Sequence, residues 1–453
     1  MMELLNRKKT GKVERPVKVL QFGEGNFLRA FVDYMIDIAN EQGKFNGDIV
    51  LVKPIEFGSL DRFHDQECQY TVQLRGIVDG EPKRINRIVT SVADAVDAYG
   101  EYQKYADYAK LDSLRYIVSN TTEAGIVYDD TDRLEMEPPK SYPGKLTKFL
   151  YERYKHFNGA MDKGLVMLPV ELIDDNGIHL KECVEKLAVL WNLEEGFKTW
   201  LDEACVFTST LVDRIVTGYP RDEAEELCKE FGYQDNLIVT GEPFALWVIE
   251  SAKDISKEFP LPDAGLPVIF TDNQKPYKQR KVRILNGAHT SFVLASYLCG
   301  NDIVLESMQD ELIFNFMKAT IFDEVIPTLT LPKQDLIDFA EAVITRFNNP
   351  YVKHALLSIS LNSVSKWRAR CMPSFLEYIK NEGKLPTHLT FSLAALMAFY
   401  TGTEIRDKAL IGHRDGTEYQ ILDDAAVLEF FAANSSKDAA EYTHAVLSNE
   451  HFW

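Results

Sequence analysis

A short apolar run, Val17, Val19, Leu20 and Phe22, leads straight into Gly23-Glu24-Gly25, and Phe27, Phe31, Tyr34, Met35 and Ile38 follow at helical spacing. Strand, glycine turn and amphipathic helix in direct succession constrain the fold more than any other stretch of the chain. That order opens a βαβ unit of the dinucleotide-binding kind. Its first glycine makes the tight turn, and its second lets a pyrophosphate approach the backbone at the helix N-terminus. Leu28 stands where a third fingerprint glycine belongs, which implies a wider helix–strand contact. A lone G-x-G also fits an ordinary strand-to-helix turn; the strand before it and the helix after it favour a nucleotide.

Further apolar runs continue the pattern. Ile49-Val50-Leu51-Val52 reads as a second buried strand ending at Lys53-Pro54. Tyr70 to Gly76 and Ile85 to Thr90 read as a β-hairpin around an Asp79-Gly80 turn, inserted in the α/β alternation. Parallel-type strands resume at Tyr116-Ile117-Val118 and Leu165-Val166-Met167-Leu168, with shorter ones near Val206 to Val212 and at Val268-Ile269-Phe270. Beyond Pro276 the spacing turns helical, through Ile284 to Leu298, Leu312 to Ile321, Leu336 to Phe347 and Leu393 to Tyr400, and strand-like alternation nearly disappears. The expected fold is α/β. It comprises an N-terminal Rossmann-type domain with an inserted β-hairpin, residues 1–274, and a mostly α-helical C-terminal domain, residues 275–453. Ligands favour such domain junctions, so the cleft there is where substrate is expected.

The bulk numbers agree with two folded domains, since 453 residues exceed one ordinary core. A net charge of -19 and a pI near 5.0 argue against nucleic acid as a bulk partner. The six cysteines are scattered with no C-x-x-C, Met1 to Arg15 is polar and lysine-rich, and no apolar run reaches the ~18 residues of a membrane span. A cytoplasmic setting follows, with the oligomeric state open.

Five cations, Lys275, Lys278, Arg280, Lys281 and Arg283, stand within nine residues without an acid among them and run into a helical stretch carrying Asn286 and His289. A lysine, an amide and an imidazole are what metal-free carbonyl/alcohol redox chemistry needs. The lysine moves a proton, and the other two hold the oxygen on which charge develops. Asn286 and His289 are three apart and lie within ~60° of each other on a helix, whereas Lys281 would be ~140° from Asn286. The neighbouring Arg280, Arg283 and Lys278 are expected to bring a lysine here down to ~7–8. Taken singly, His289 reads equally as a satisfied half-buried residue and Asn286 as a cap. No H-E-x-x-H or Cys/His spacing points to a metal, and no G-x-S-x-G points to a serine hydrolase.

Two further groups bear on binding. Glu56, just after the second strand, is the best-placed acid for the adenosine ribose and would favour NAD, while Lys53 beside it points the other way; a solvated loop carboxylate explains Glu56 equally well. Lys366 and Arg370 are four apart on one helix face and Arg368 points away, so the pair, with Lys278, suits a substrate carboxylate. A solvated basic face explains the same pattern equally well.

At these residues a family becomes recognisable. Val19 to Ala30 resembles the G-x-G-x-F-x-R-A signature of the polyol-specific long-chain dehydrogenases, the mannitol dehydrogenase family. Lys281-x4-Asn286-x2-His289 resembles its catalytic signature, and Val212-Asp213-Arg214-Ile215 its V-D-R-I motif. The segments Ser119 to Gly125, Glu171 to Asp174, Leu211 to Asp222 and Asn286 to Thr290 are similar to a branch of that family acting on hexuronates. The resemblance implies NAD as cofactor, a small-molecule hexuronate/aldonate substrate pair (D-tagaturonate and D-altronate), and no nucleic acid or membrane partner. It implies that Lys281 is the general acid/base, that Asn286 stabilises the oxyanion and that His289 positions hydroxyls. It further implies that Gln21, Phe22, Gly23, Glu24, Gly25, Asn26, Phe27, Asn120 and Thr121 hold the cofactor, and that Glu171 and Asp213 face the substrate. Glu171-Leu172 replaces the Asp-Asn pair of mannitol-type members. The alternatives are a fructuronate, mannitol or polyol-phosphate dehydrogenase of the same family or, outside it, a nucleotide-binding protein without turnover.

Overall fold

The sheet begun by the first strand has six members, all parallel, in the order Val92–Asp97, Asp48–Lys53, Val17–Phe22, Tyr116–Ser119, Val166–Pro169, Val206–Phe207. The structure, a computed structural model, describes residues 2–453. The strand order reverses between Val17–Phe22 and Tyr116–Ser119, which creates the crevice where open α/β sheets take their ligands. Both faces are covered, so the strands read as unbroken apolar runs. Leu20, Phe22, Val50, Val52, Ile117 and Met167 pack with the helices Tyr142–His156 and Asn176–Leu190. Val19, Ile49, Leu51, Val118 and Leu168 pack on the other face with Phe31, Met35, Trp247 and Phe259.

The strand Val92–Asp97 was not among those expected, because Asp94 and Asp97 interrupt its apolar pattern. Both carboxylates are paired, Asp94 with Lys104 at 2.8 Å and Asp97 with Lys53 at 3.0 Å. The hairpin is Tyr70–Val78 and Glu81–Val89, and Asp79 and Gly80 both take positive φ (55° and 79°), as a two-residue hairpin turn requires. It joins Val239–Gly241 and Val216–Gly218 in a four-stranded sheet. By its contacts the chain divides into two units, one made of Met1–Arg75 and Lys83–Gln274, the other of Gly76–Pro82 and Lys275–Trp453. The hairpin tip therefore counts with the C-terminal unit.

That unit is built on the helix Gly287–Leu298, buried along most of its length against Glu311–Ala319, Leu356–Ile359, Ser363–Arg370 and Thr387–Phe399. It also holds a three-stranded antiparallel sheet, Ile405–Arg406, Ala409–Arg414 and Thr417–Ile421, which corrects the expectation that strands nearly vanish here. The strands are short and half polar, so no apolar alternation marks them. The Asp415-Gly416 turn, with φ 51° and 80°, was the readable signal.

Candidate active site

At the glycine turn the backbone is tied on two sides: Gly23 N–H donates to Val52 O (2.9 Å) and Asn120 N–H to Phe22 O (3.1 Å). Gly23 has φ 118°, and a Cβ there would stand 3.1 Å from Asn120 O, so both conformation and space demand glycine. Gly25 differs. It is exposed, with φ −67°, and a Cβ would meet nothing within 4 Å. The space over the N-terminus of the helical segment 26–41 is open there.

The other signature residues hold this turn. Gln21 Nε2 donates to Gly23 O (3.2 Å). Arg29 donates to Asn26 Oδ1 (2.6 Å), Glu24 O (3.2 Å) and Leu237 O (2.6 Å). Phe22 is core, against Tyr105 and Tyr142, and Phe27 stacks on Phe31 with centroids 5.0 Å apart. Glu24 is half-buried, and burial raises its carboxyl above the usual range. The helix opens with a π turn, Arg29–Asp33, where the i to i+5 pattern leaves carbonyls for other donors. Arg214 of the V-D-R-I segment supplies one, donating to Ala30 O (2.5 Å) as well as to Phe244 O and Pro243 O. Asp213 beside it is buried at the end of the strand Ser209–Asp213.

Glu171, expected to face the substrate, is tied to the loop after the strand Tyr116–Ser119. Its carboxylate accepts from Thr121 N–H (2.9 Å), Thr121 Oγ1 (2.9 Å) and Ser119 Oγ (3.1 Å), and it is 2% exposed. Both oxygens are occupied in holding the loop that carries Asn120 and Thr121. Glu56 is exposed on the loop after the second strand, whereas Lys53 is buried and bonded to protein carbonyls.

In the C-terminal unit the helix Lys275–Arg280 passes into a π turn, Lys281–Asn286, and continues as Gly287–Leu298. Gly287 N–H reaches back five residues to Val282 O. Residues five apart stack in such a turn, so Lys281 and Asn286 fall on one face. The ~140° offset of a regular helix is thereby removed. Lys281 and Asn286 are half-buried, and the Asn286 amide makes no hydrogen bond among the described residues. His289, one turn on, stacks on Phe347 (4.2 Å, 24°) and meets His354 edge-on (5.4 Å, 83°), with Nε2 buried and unbonded. Burial, then the nearby charges of His354, Arg346, Arg370 and Lys366, hold its pKa well below the ordinary value, so the ring is neutral at pH 7.

Cations from several segments stand around His289. Arg280 lies over Phe339 (4.5 Å) and Tyr277 (5.3 Å), and Arg283 reaches Thr328 O (3.4 Å). Side chains one and two positions from Lys281 on a regular helix do not face it. Lys278, three residues before Lys281, is half-buried on the same face. Lys366 and Arg370 come from the helix Ser363–Arg370, while Arg368 points away to His451 O. A Cβ at Gly287 would stand 3.3 Å from Arg370 O, so this glycine permits the close approach that sets Arg370 Nη1 3.4 Å from Thr290 Oγ1. Neither Lys366 nor Arg370 pairs with a carboxylate among the described residues; Lys366 Nζ donates to Ile359 O (2.9 Å). Arg346 and His354 were not singled out in the sequence. They lie on other segments, and only folding brings them to His289.

Two family models divide the chain between them: the mannitol dehydrogenase Rossmann domain matches residues 17–262, and the mannitol dehydrogenase C-terminal domain matches residues 273–453. The chain belongs to the mannitol dehydrogenase family. It is 45% identical to an altronate oxidoreductase of Yersinia enterocolitica, over 100% of this chain and 93% of the relative. It is 43% identical, with the same coverage, to an altronate oxidoreductase of Bacteroides thetaiotaomicron. Among solved structures, a substrate-free D-sorbitol dehydrogenase shares the fold at TM-score 0.80 and 20% identity, covering 98% of this chain and 96% of that one. Mannitol 2-dehydrogenase of Pseudomonas fluorescens, in ternary complex with NAD and D-mannitol, gives 0.66 at 23% identity, covering 100% and 92%. Among the described residues no helix is long and apolar enough to cross a membrane.

Proposed function

We propose that this mannitol dehydrogenase family member is an NAD-dependent oxidoreductase interconverting D-tagaturonate and D-altronate, in the cytoplasm, as part of hexuronate breakdown. One observation carries the substrate class. Lys366 and Arg370, half-buried without a carboxylate partner, stand with Arg346 around His289, one helical turn from Asn286. Cations held in that state favour an anion, and an acid sugar brings its reactive oxygen and its carboxylate on one small molecule. The altronate oxidoreductases aligned over the whole chain support the same class. The six free cysteines fit a reducing compartment.

The open space at Gly25 fits a pyrophosphate, with Asn26 and Phe27 presenting their backbone N–H groups at the helix start. When bound there, NAD(H) supplies or accepts the hydride at the carbon. In the reductive direction Lys281 gives its proton to the carbonyl oxygen, and Asn286 donates a hydrogen bond to that oxygen as negative charge gathers on it. In the oxidative direction Lys281 takes the hydroxyl proton back. His289, kept neutral, has one ring nitrogen to donate and one to accept, which suits it to orienting hydroxyls. A panel of D-tagaturonate, D-fructuronate, D-fructose and fructose 6-phosphate, followed by NADH oxidation, tests the reading. Tagaturonate is expected to give the highest kcat/KM, and equal turnover of D-fructose would defeat the acid-sugar assignment.

The turn itself is tested by Gly25→Val. The position is open and its φ suits any residue, so the variant is expected to keep its melting temperature within a few degrees. Its Kd for NADH should rise at least about tenfold, equivalent to ~1.4 kcal/mol, as the valine methyls fill the pyrophosphate's place. Unchanged NADH titration in the folded variant would put the nucleotide elsewhere.

A further inference from the structure

Beneath the glycine turn lie two polar side chains, Gln21 on the first strand and Asp33 at the end of the π turn Arg29–Asp33, both 0% exposed. Gln21 shares with Val19 the strand face that this helical segment covers, and its amide is in contact with the Asp33 carboxyl. Gln21 Nε2 donates to Gly23 O (3.2 Å), and Asp33 Oδ2 accepts from the Tyr70 hydroxyl (2.6 Å). The other two atoms, Gln21 Oε1 and Asp33 Oδ1, are buried without a hydrogen-bond partner among the described residues. Both are acceptors. Leaving two acceptors dry and unpaired is costly, and a single proton on the carboxyl satisfies both at once.

No cation bonds to Asp33 among the described residues. The charged and titratable groups that face it are Arg29, Asp37 and Tyr70. Arg29, one turn earlier, lies over the Tyr70 ring (5.3 Å) and directs its N–H groups to Glu24 O, Leu237 O and Asn26 Oδ1, with Asp235 also near it. Asp37, one turn later, is paired with Arg87 (2.6 Å) and accepts from Thr90 N–H (2.7 Å). Burial holds the Tyr70 hydroxyl well above its ordinary value, so it remains a donor. Burial also pushes the Asp33 carboxyl up to about 7, in spite of the Tyr70 bond, the Gln21 contact and the Arg29 charge.

We infer that Asp33 is a positioning residue whose carboxyl donates a proton from Oδ1 to Gln21 Oε1, fixing the amide so that Nε2 holds Gly23 O and the glycine turn keeps its shape for the nucleotide. This rests on the NAD reading given above. The bonds then run in one chain from the Tyr70 hydroxyl through Asp33 and Gln21 to the turn. When the proton leaves, Gln21 turns its NH2 group to the new anion, and Gly23 O loses its donor. Cofactor affinity is therefore full below about pH 7 and falls as the pH rises through it.

The test is NADH titration of the full-length protein across the pH range, with thermal melts alongside. The wild-type Kd is expected to rise about tenfold between about pH 6 and about pH 8.5, the upper end of what one hydrogen bond supplies. Asp33→Asn keeps both bonds without a titrating proton, since its oxygen accepts from Tyr70 and its NH2 donates to Gln21. Its Kd should match wild type at the low pH and lack this rise. Tyr70→Phe removes a bond that favours the anion, so the midpoint should move to higher pH, and it decides the matter should Asp33→Asn not fold. In the melts, Asp33→Asn should gain on wild type as the pH climbs from about 4, where an unfolded aspartate loses its proton, to about 7, where the folded one does. Glu24, raised by burial on the same turn, is the other carboxyl that could give a pH effect. Its share survives in Asp33→Asn and disappears in Glu24→Gln. A rise in Kd that persists undiminished in Asp33→Asn, or a midpoint unmoved in Tyr70→Phe, overturns the positioning role. So does an Asp33→Asn variant that melts like wild type at the low pH yet has lost NADH affinity there, because the anion is then the working form. If wild type binds NADH at no pH, the NAD reading fails, and the melts still decide the proton: no gain by Asp33→Asn with rising pH means Asp33 does not hold it.

Discussion

Replacing Lys281 by alanine is expected to lower kcat by about 10²–10⁴-fold, the range typical of a positioned proton donor, while the Kd for NADH stays within about twofold. The two effects separate because the residues assigned to the nucleotide all lie in the N-terminal unit and Lys281 in the C-terminal one. Lys281→Arg should fail almost as badly. A guanidinium keeps the charge but holds its proton throughout the working pH range, so it cannot complete the transfer. If Lys281 only attracted an anion, the arginine variant would keep most of the activity. If it only held the π turn, both variants would melt earlier and lose kcat and NADH binding together. Stopped-flow reduction, NADH titration and thermal melts on the two variants distinguish these cases.

Much of the N-terminal unit was readable because parallel strands covered on both faces leave unbroken apolar runs, as at Ile49 to Val52 and Leu165 to Leu168. Val92–Asp97 escaped because its aspartates are satisfied by Lys104 and Lys53, partners distant in sequence. The small sheet at Ile405 to Ile421 escaped because its strands are too short to alternate visibly. Lys281, Asn286 and His289 stood out by residue type and spacing, whereas no residue pattern announces the π turn in which the first two lie. Likewise the cations that, after burial, lower His289 come from two other helices, Lys333–Phe347 and Ser363–Arg370, while Arg280 lies over Phe339 and Tyr277 and Arg283 reaches Thr328 O.

The selectivity for an acid sugar is where those tertiary neighbours matter. Arg370 is half-buried, and burial lowers its pKa from that of a free guanidinium; a guanidinium keeps its charge in proteins. Lys366, four residues earlier on the same face, is lowered by burial and then by Arg370 itself. Two like charges held side by side out of full solvent destabilise the empty protein, and a carboxylate between them relieves that repulsion as well as forming charged hydrogen bonds. Arg370→Ala is therefore expected to reduce kcat/KM for tagaturonate by about 10–150-fold, the ~1.5–3 kcal/mol of a charge-assisted hydrogen bond. Turnover of the uncharged keto-sugar should change by less than about threefold. Arg370→Lys should recover only part of the loss, since it restores the charge without the bidentate fork. Its Thr290 contact, at 3.4 Å, is too long to hold the helix pair, so the variant should fold. The melting temperature is expected to hold or rise, because one of two repelling cations is gone. The decisive comparison is the ratio of kcat/KM on the two substrates: a fall confined to the uronate assigns Arg370 to the carboxylate, while equal falls make it structural and shift the search to Lys278 and Arg346.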